Sequence, residues 1–298
     1  MKASRAQILL GFAAVYIIWG STYLGIRFAI ETIPPFLMAG VRFLLAGLVL
    51  YLFQRPRAGV KPTAAQWKAA AIIGLGLVFI GNGAVVWAEQ IIPSGIAALV
   101  VAVTPCWIVL IDWLWAKSER PTLRTATGLL LGFGGILLLI GPGLDTAGGV
   151  NVAGVLAVTA GTLGWASGSI YSKHAPLPEP QLLATGMEML CGGAMLVVLS
   201  FVVGEPGSFH ISDVSARSWL AFFYLTIFGS LVAFSAYVWL LRVVRPALVS
   251  TYAYVNPLVA VALGWALAGE ALSARMGLAA AVILAGVILI TLPARAIR

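Results

Sequence analysis

The sequence predicts an all-α integral membrane protein, with ten transmembrane helices arranged as two inverted five-helix repeats. Three observations predict it: an apolar excess that no water-soluble fold can hide, ten apolar runs of spanning length, and a second half that repeats rare residues of the first in order. Of 298 residues, 61% are hydrophobic and 9% charged, and the mean hydropathy is +1.03. A soluble domain is about 45–50% apolar and about 25% charged. At about 20 apolar residues per span, ten spans use roughly 200 residues and leave only short connections. Residues 1–298 therefore read as a single membrane domain, with repeat 1 over about 1–145 and repeat 2 over about 146–298.

The runs are bounded by charges, Pro and Gly. The first, 7–28, follows Lys2 and Arg5 and starts like a signal peptide, but it continues past Trp19 without a small-residue cleavage site and reads as a retained helix. The second, 35–53, lies between Glu31 and the Arg55, Arg57 and Lys61 group, and the third, 67–88, stops at Glu89. The fourth, 93–115, contains Thr104-Pro105, and the fifth, 122–140, lies between Arg120 and Asp145. Runs at 152–172 and 181–203 end before Lys173 and Glu205. The eighth, 218–241, precedes Arg242; the ninth, 246–267, contains Asn256-Pro257; the tenth is 274–293.

An even number of spans puts both termini on one side. That side holds Lys2, Arg5, Arg55, Arg57, Lys61, Lys68, Lys117, Arg120, Arg124, Lys173, Arg242, Arg245, Arg295 and Arg298; the other holds Arg27, Arg217 and Arg275. The positive-inside rule then predicts cytoplasmic N- and C-termini. Glu31, Glu89, Asp145, Glu205, Asp213 and Glu270 all fall on the side poor in Lys and Arg. The net charge of +8 is thus explained by topology, with no nucleic-acid partner implied. Cys106 and Cys191 lie in apolar runs and read as small hydrophobes, with no disulfide or metal framework.

A shift of 146 residues aligns Trp19-Gly20-Ser21 with Trp165-Ala166-Ser167, Arg27 with Lys173, Gly40 with Gly186 and Gly47 with Gly193. A shift of 151 or 152 aligns Thr104-Pro105 with Asn256-Pro257, Glu119 with Glu270 and Gly135 with Gly286. Five helices per half is an odd number, so the second copy enters the membrane from the opposite side, as in many secondary transporters whose site lies at the midplane.

The segments WGSTYLGIRFAI, PPFLMAGVRFLLAG, GNGAVVWAE, PSGIAALVVAVTP and TYAYVNPLVAVALGWALAGE resemble the EamA-type members of the drug/metabolite transporter (DMT) superfamily. The match covers nearly the whole chain. The resemblance implies a multi-pass bacterial inner-membrane exporter with two five-helix repeats around a central cavity. Its cargo would be amino acids, including aromatic ones, or related metabolites and drugs.

Ionisable residues within the membrane are costly, about 2.5 to 3.5 kcal/mol each on insertion scales, and so are candidates for function. Arg42 in the second helix and Glu188 in the seventh qualify, and they occupy equivalent repeat positions. They can hold the two charged ends of a zwitterion, or Glu188 can take up a proton, or the two can form a structural ion pair. Trp19, Trp87, Trp107, Trp165, Tyr237, Tyr252 and Tyr254 lie away from most predicted helix ends and can stack on aromatic cargo or pack structurally. Asn82, between Gly81 and Gly83, and Asn256 are amides that must find partners inside lipid. The substrate-binding candidates are therefore Trp19, Arg42, Asn82, Trp87, Trp165, Glu188, Tyr237, Tyr254 and Asn256. Pro105 and Pro257 free the carbonyls of Val101 and Ala253, which predicts kinks and gating hinges.

The other function classes lack their motifs. There is no H-E-x-x-H and no Walker A sequence, His174 and His210 fall in predicted connections, and nothing resembles a channel filter. The reading is a non-enzymatic carrier that needs no cofactor or metal and has a small-molecule substrate and the lipid bilayer as partners; a two-repeat carrier could work as a monomer, and the sequence leaves the oligomeric state open. The alternative cargo is cationic or aromatic drugs, for which an Arg42 pointing into the cavity would be unfavourable.

Overall fold

The computed structural model describes residues 4–59, 61–115, 121–140, 150–244, 249 and 251–291. Every regular element among them is helical. Nine helices are long and apolar enough to span a bilayer: α1 (Arg5–Ala29), α2 (Pro35–Ala58), α3 (Ala64–Ala88), α4 (Ser94–Leu114), α5 (Leu123–Ile140), α6 (Val152–Ser172), α7 (Gln181–Val202), α8 (Ala216–Leu240) and α10 (Ala274–Thr291). The remaining apolar helix, α9 (Tyr252–Ala268), has 17 residues; the start expected for it at 246 lies outside the described residues. Leu52, Leu123, Leu130 and Phe201 are exposed on the outside of the bundle, where lipid is the solvent for such side chains.

Local chemistry sets the helix ends. Ser4 with Gln7 and Thr63 with Gln66 form reciprocal capping boxes that start α1 and α3 a turn or less before the apolar runs begin. Contacts between helix ends define two faces of the bundle. At one face, Arg27 meets Glu89, Ser218 meets Phe28, Glu205 meets Phe36 and Leu37, Glu270 meets Ser94 and Gly95, and Arg275 meets Leu138. At the other, Tyr51 meets Trp67 and Lys173 pairs with Asp112 at 3.7 Å; deeper in the bundle Tyr16, midway along α1, meets Thr251.

Without a hydrophobic force between helices in lipid, close backbone approach is the main source of packing energy, and small residues permit it. Along the α2–α7 contact a Cβ on Gly40 would lie 3.0 Å from the Gly193 carbonyl oxygen, and one on Gly47 would lie 2.8 Å from that of Gly186. Along α5–α10, a Cβ on Gly128 would lie 2.8 Å from the Gly286 carbonyl. In α3 against α6, a Cβ on Gly76 would lie 2.8 Å from the Gly164 carbonyl.

The two prolines expected to act alike do not. Helix α4 breaks at Ala102–Val103, and Pro105 sits in the first turn of its second segment, where a missing N–H costs nothing. The Val101 carbonyl is taken up by Thr104 Oγ1 at 2.6 Å. Helix α9 instead runs through Pro257 without interruption. Both α3 and α8 contain wide π-helical turns, over Leu75–Asn82 and Leu225–Val232. In each a side chain reaches five residues back: Asn82 Nδ2 donates to the Leu77 carbonyl at 3.0 Å, and Ser230 Oγ to that of Leu225 at 3.2 Å.

Candidate functional site

The π-helical turns face a central cavity of about 460 Å³, bordered by residues of every helix except α5 among those described. In α1 the lining residues Trp19, Thr22, Tyr23 and Ile26 follow the three- and four-residue spacing of one helix face. Facing them are Leu77, Gly81, Asn82 and Val85 of α3, Thr162 and Trp165 of α6, and Ser230, Phe234 and Tyr237 of α8. The lining extends to Tyr252 and Thr291, the last described residues of α9 and α10 at one face. Toward the opposite face it stops at Ile26, Val85 and Ala98, about one turn short of the helix ends.

Aromatic side chains form one wall. The Trp19 ring lies 5.2 Å from Tyr237, 5.4 Å from Tyr252 and 5.7 Å from Phe234, centroid to centroid, within the range of favourable edge and offset contacts. Its indole N–H donates to the Gly229 carbonyl at 3.1 Å, which fixes the ring's orientation. Trp165 rests against Gly81, where an added Cβ would lie 3.1 Å from the indole ring.

The polar groups are few and enclosed. Arg42 is 3% exposed; its guanidinium carbon lies 4.3 Å from the Phe43 ring centroid, and Nη2 reaches Asn82 Oδ1 at a long 3.5 Å. Its Nε has no hydrogen-bond partner, and neither does Oδ1 of Asn256, although both are buried. Glu188 is 8% exposed and borders the same cavity, yet no ion pair joins it to Arg42 among the described residues. Among the described residues the cavity therefore carries one cation and one carboxyl group in an apolar, aromatic surround, with a donor and an acceptor still unpaired. Such a site suits a small amphipathic molecule bearing both charges.

Of the candidates read from sequence, Trp19, Arg42, Asn82, Trp165, Glu188, Tyr237 and Asn256 border the cavity, as do Pro105 and Pro257. Trp87 and Tyr254 do not. Trp87 is 37% exposed on the outside of α3, and Tyr254 packs against the hydrophobic core. Thr22, Tyr23, Thr162, Thr185, Ser230 and Phe234 border the cavity without having been singled out.

Carboxylates seal the face where the lining stops. Glu270 accepts the Ser94 N–H at 2.7 Å and the Gly95 N–H at 3.1 Å, closing the N-terminus of α4. Glu205 accepts the Phe36 N–H at 3.1 Å and the Leu37 N–H at 2.8 Å, closing that of α2. Both place negative charge where free N–H groups and the helix dipole favour it.

Residues 6–141 and 152–292 match the EamA-like transporter family. The chain is 42% identical to the inner membrane transporter YedA of Escherichia coli K12, over 94% of this chain and 89% of that protein. It is 27% identical to protein PecM of Dickeya dadantii, over 86% of this chain and 82% of PecM. It is 25% identical to a "probable amino-acid metabolite efflux pump" of Salmonella typhimurium, over 93% and 92% of the two chains. One crystal structure, at 23% sequence identity, shares the fold with a TM-score of 0.64 and covers 96% of both chains.

Proposed function

This chain belongs to the EamA-like transporter family, and on that premise we propose that it exports amino acids, aromatic ones included, and related small metabolites by alternating access. The observation that carries the reading is the presence of Arg42 and Glu188 on one aromatic-walled cavity without an ion pair between them. Arg42 holds the substrate carboxylate, Glu188 the ammonium, and the Trp19, Tyr237 and Tyr252 wall the side chain. A monocation would have to enter beside the Arg42 guanidinium, so cationic drugs are the poorer cargo.

The transport cycle is a rocking of two inverted repeats, about 1–145 and 146–298, around this site. Support comes from the two ordered family matches and from the crossed glycine contacts of α2 and α7, where Gly40 meets Gly193 and Gly47 meets Gly186. The excess of Lys and Arg puts both termini in the cytoplasm, so the cavity here is on its way to the cytoplasmic face and sealed toward the outside. The break in α4 beside Pro105 supplies the hinge.

The test is release of preloaded labelled amino acids of aromatic, aliphatic, basic and acidic types from liposomes holding the purified protein. Saturable release, competed among amino acids and lost on Arg42→Gln and on Glu188→Gln, is expected. Loss on Glu188→Gln alone, with cationic drugs as cargo, would replace the zwitterion reading with the cation one.

A further inference from the structure

Glu89 follows directly on α3 and is fully buried at the sealed face, four residues past Val85. Neither of its carboxyl oxygens has a hydrogen-bond partner, although its backbone carbonyl accepts from Arg27 Nη1 at 2.8 Å. Other carboxylates at this face are engaged: Glu205 and Glu270 hold backbone N–H groups, and Glu31 pairs with Arg217 at 3.2 Å. An ionised carboxylate buried without donors is strongly disfavoured, and the neutral acid far less so.

The charged and titratable groups facing Glu89 are Arg27 and Tyr23 of α1, Arg42 of α2 and Glu270 of the α9–α10 connection. Burial, and after it the negative charge of Glu270, raises the Glu89 pKa well above the ordinary carboxylate value; Arg27 and Arg42 oppose that rise without cancelling it. Tyr23 and Arg42, within electrostatic reach of Glu89, also border the cavity.

We infer that Glu89 is a proton-binding site coupled to the opening of the sealed face. While the face is closed, the carboxyl group keeps its proton. When the α3–α4 connection and the α9–α10 connection part and water enters, the O–H bond breaks, the electron pair stays on the carboxylate and the proton passes to water; closure reverses the exchange. Protonation therefore favours the closed face. That advantage is complete below the pKa of the hydrated carboxyl group and is lost as pH rises through the raised value of the buried one. The inference rests on the transporter reading only in requiring that this face opens, and the cargo does not enter it.

Spin labels attached through Gln90→Cys and Leu272→Cys, in a chain that also carries Cys106→Ala and Cys191→Ala, report the width of this face in liposomes without substrate. A one-proton linkage changes the ratio of open to closed by up to about tenfold per pH unit, and that rise of the open population with pH is expected in the parent. Glu89→Gln, fixed in the neutral form, should stay closed, with less than about a twofold change over the same range. Glu188→Gln should respond like the parent, and Glu89→Asp should respond with a displaced midpoint. A flat parent, a Glu89→Gln response equal to the parent's, or loss of response in Glu188→Gln overturns the inference. Should Glu89→Gln fail to fold, an unchanged midpoint in Glu89→Asp overturns it. Because no amino acid is present, a failed cargo assay leaves this result independent.

Discussion

The two faces of the bundle are held by different chemistry. The sealed face is tied by carboxylates to helix N-termini, Glu270 on Ser94 and Gly95 and Glu205 on Phe36 and Leu37, together with the Arg217–Glu31 pair. The face toward which the cavity extends is held, among the described residues, by the ring contact of Tyr51 with Trp67 and a long ion pair, Lys173 to Asp112. A carboxylate on backbone N–H groups makes a few directional bonds that water can replace one for one, unlike an interdigitated apolar seam. The sealed face thus rests on a handful of replaceable polar contacts, while the glycine seams between helices run beneath both faces.

The largest expected effect lies on those shared seams. Gly47→Val would drive a Cβ to within 2.8 Å of the Gly186 carbonyl, a collision with backbone that only helix separation relieves. Overpacking of this kind costs up to about 3 kcal/mol. Thermal unfolding in detergent should show a clear loss of stability; an unchanged transition would remove the α2–α7 seam from the account.

Next comes Glu270→Ala, which leaves two buried N–H groups without acceptors. Hydrogen bonds to a charged group contribute about 1.5–3 kcal/mol each. The sealed face should open in the spin-label measurement; a closed face would show that the carboxylate does not hold it. Glu205→Ala removes the acceptor of the Phe36 and Leu37 N–H groups at a partly buried helix start, and an N-cap loss there costs about 1 kcal/mol. It should widen the face less than Glu270→Ala, and a reversed order would show that the α2 start, not the α4 start, holds the face. Smallest is Arg217→Ala. The Arg217 side chain is 51% exposed and that of Glu31 38%, and exposed pairs contribute about 0–1 kcal/mol. Its effect on unfolding should be barely measurable, and a loss as large as that of Glu270→Ala would give the surface pair a role denied to it here.

Spanning helices were legible because length and hydropathy are local properties: α2 and α6 start where the apolar runs start, at Pro35 and Val152. Ends set by other chemistry shifted. Helix α2 continues past the expected 53 to Ala58, beyond the apolar run. The aromatic candidates divided according to helix phase. Lining positions in α3 run Leu77, Gly81 and Val85 at four-residue spacing, and Trp87, two past Val85, is turned by about 200° to the outside. In α9 the lining pairs Tyr252 with Ala253 and Asn256 with Pro257, and Tyr254 falls between them on another face. That periodicity was present in the sequence. What was not present was the burial of Glu89, which sits in a connection and is brought within electrostatic reach of Arg27 of α1, Arg42 of α2 and Glu270 by tertiary structure.

If one cavity holds both charges of a zwitterion, equilibrium binding of an aromatic amino acid, its decarboxylated amine and its N-acylated acid to the purified protein and to Arg42→Gln and Glu188→Gln will show it. The native protein should bind the zwitterion best. Arg42→Gln should lose its preference over the amine, and Glu188→Gln its preference over the N-acylated acid, each by about tenfold or more, the equivalent of 1.4 kcal/mol. Equal binding of all three ligands, or equal loss for all three in either variant, would contradict the claim.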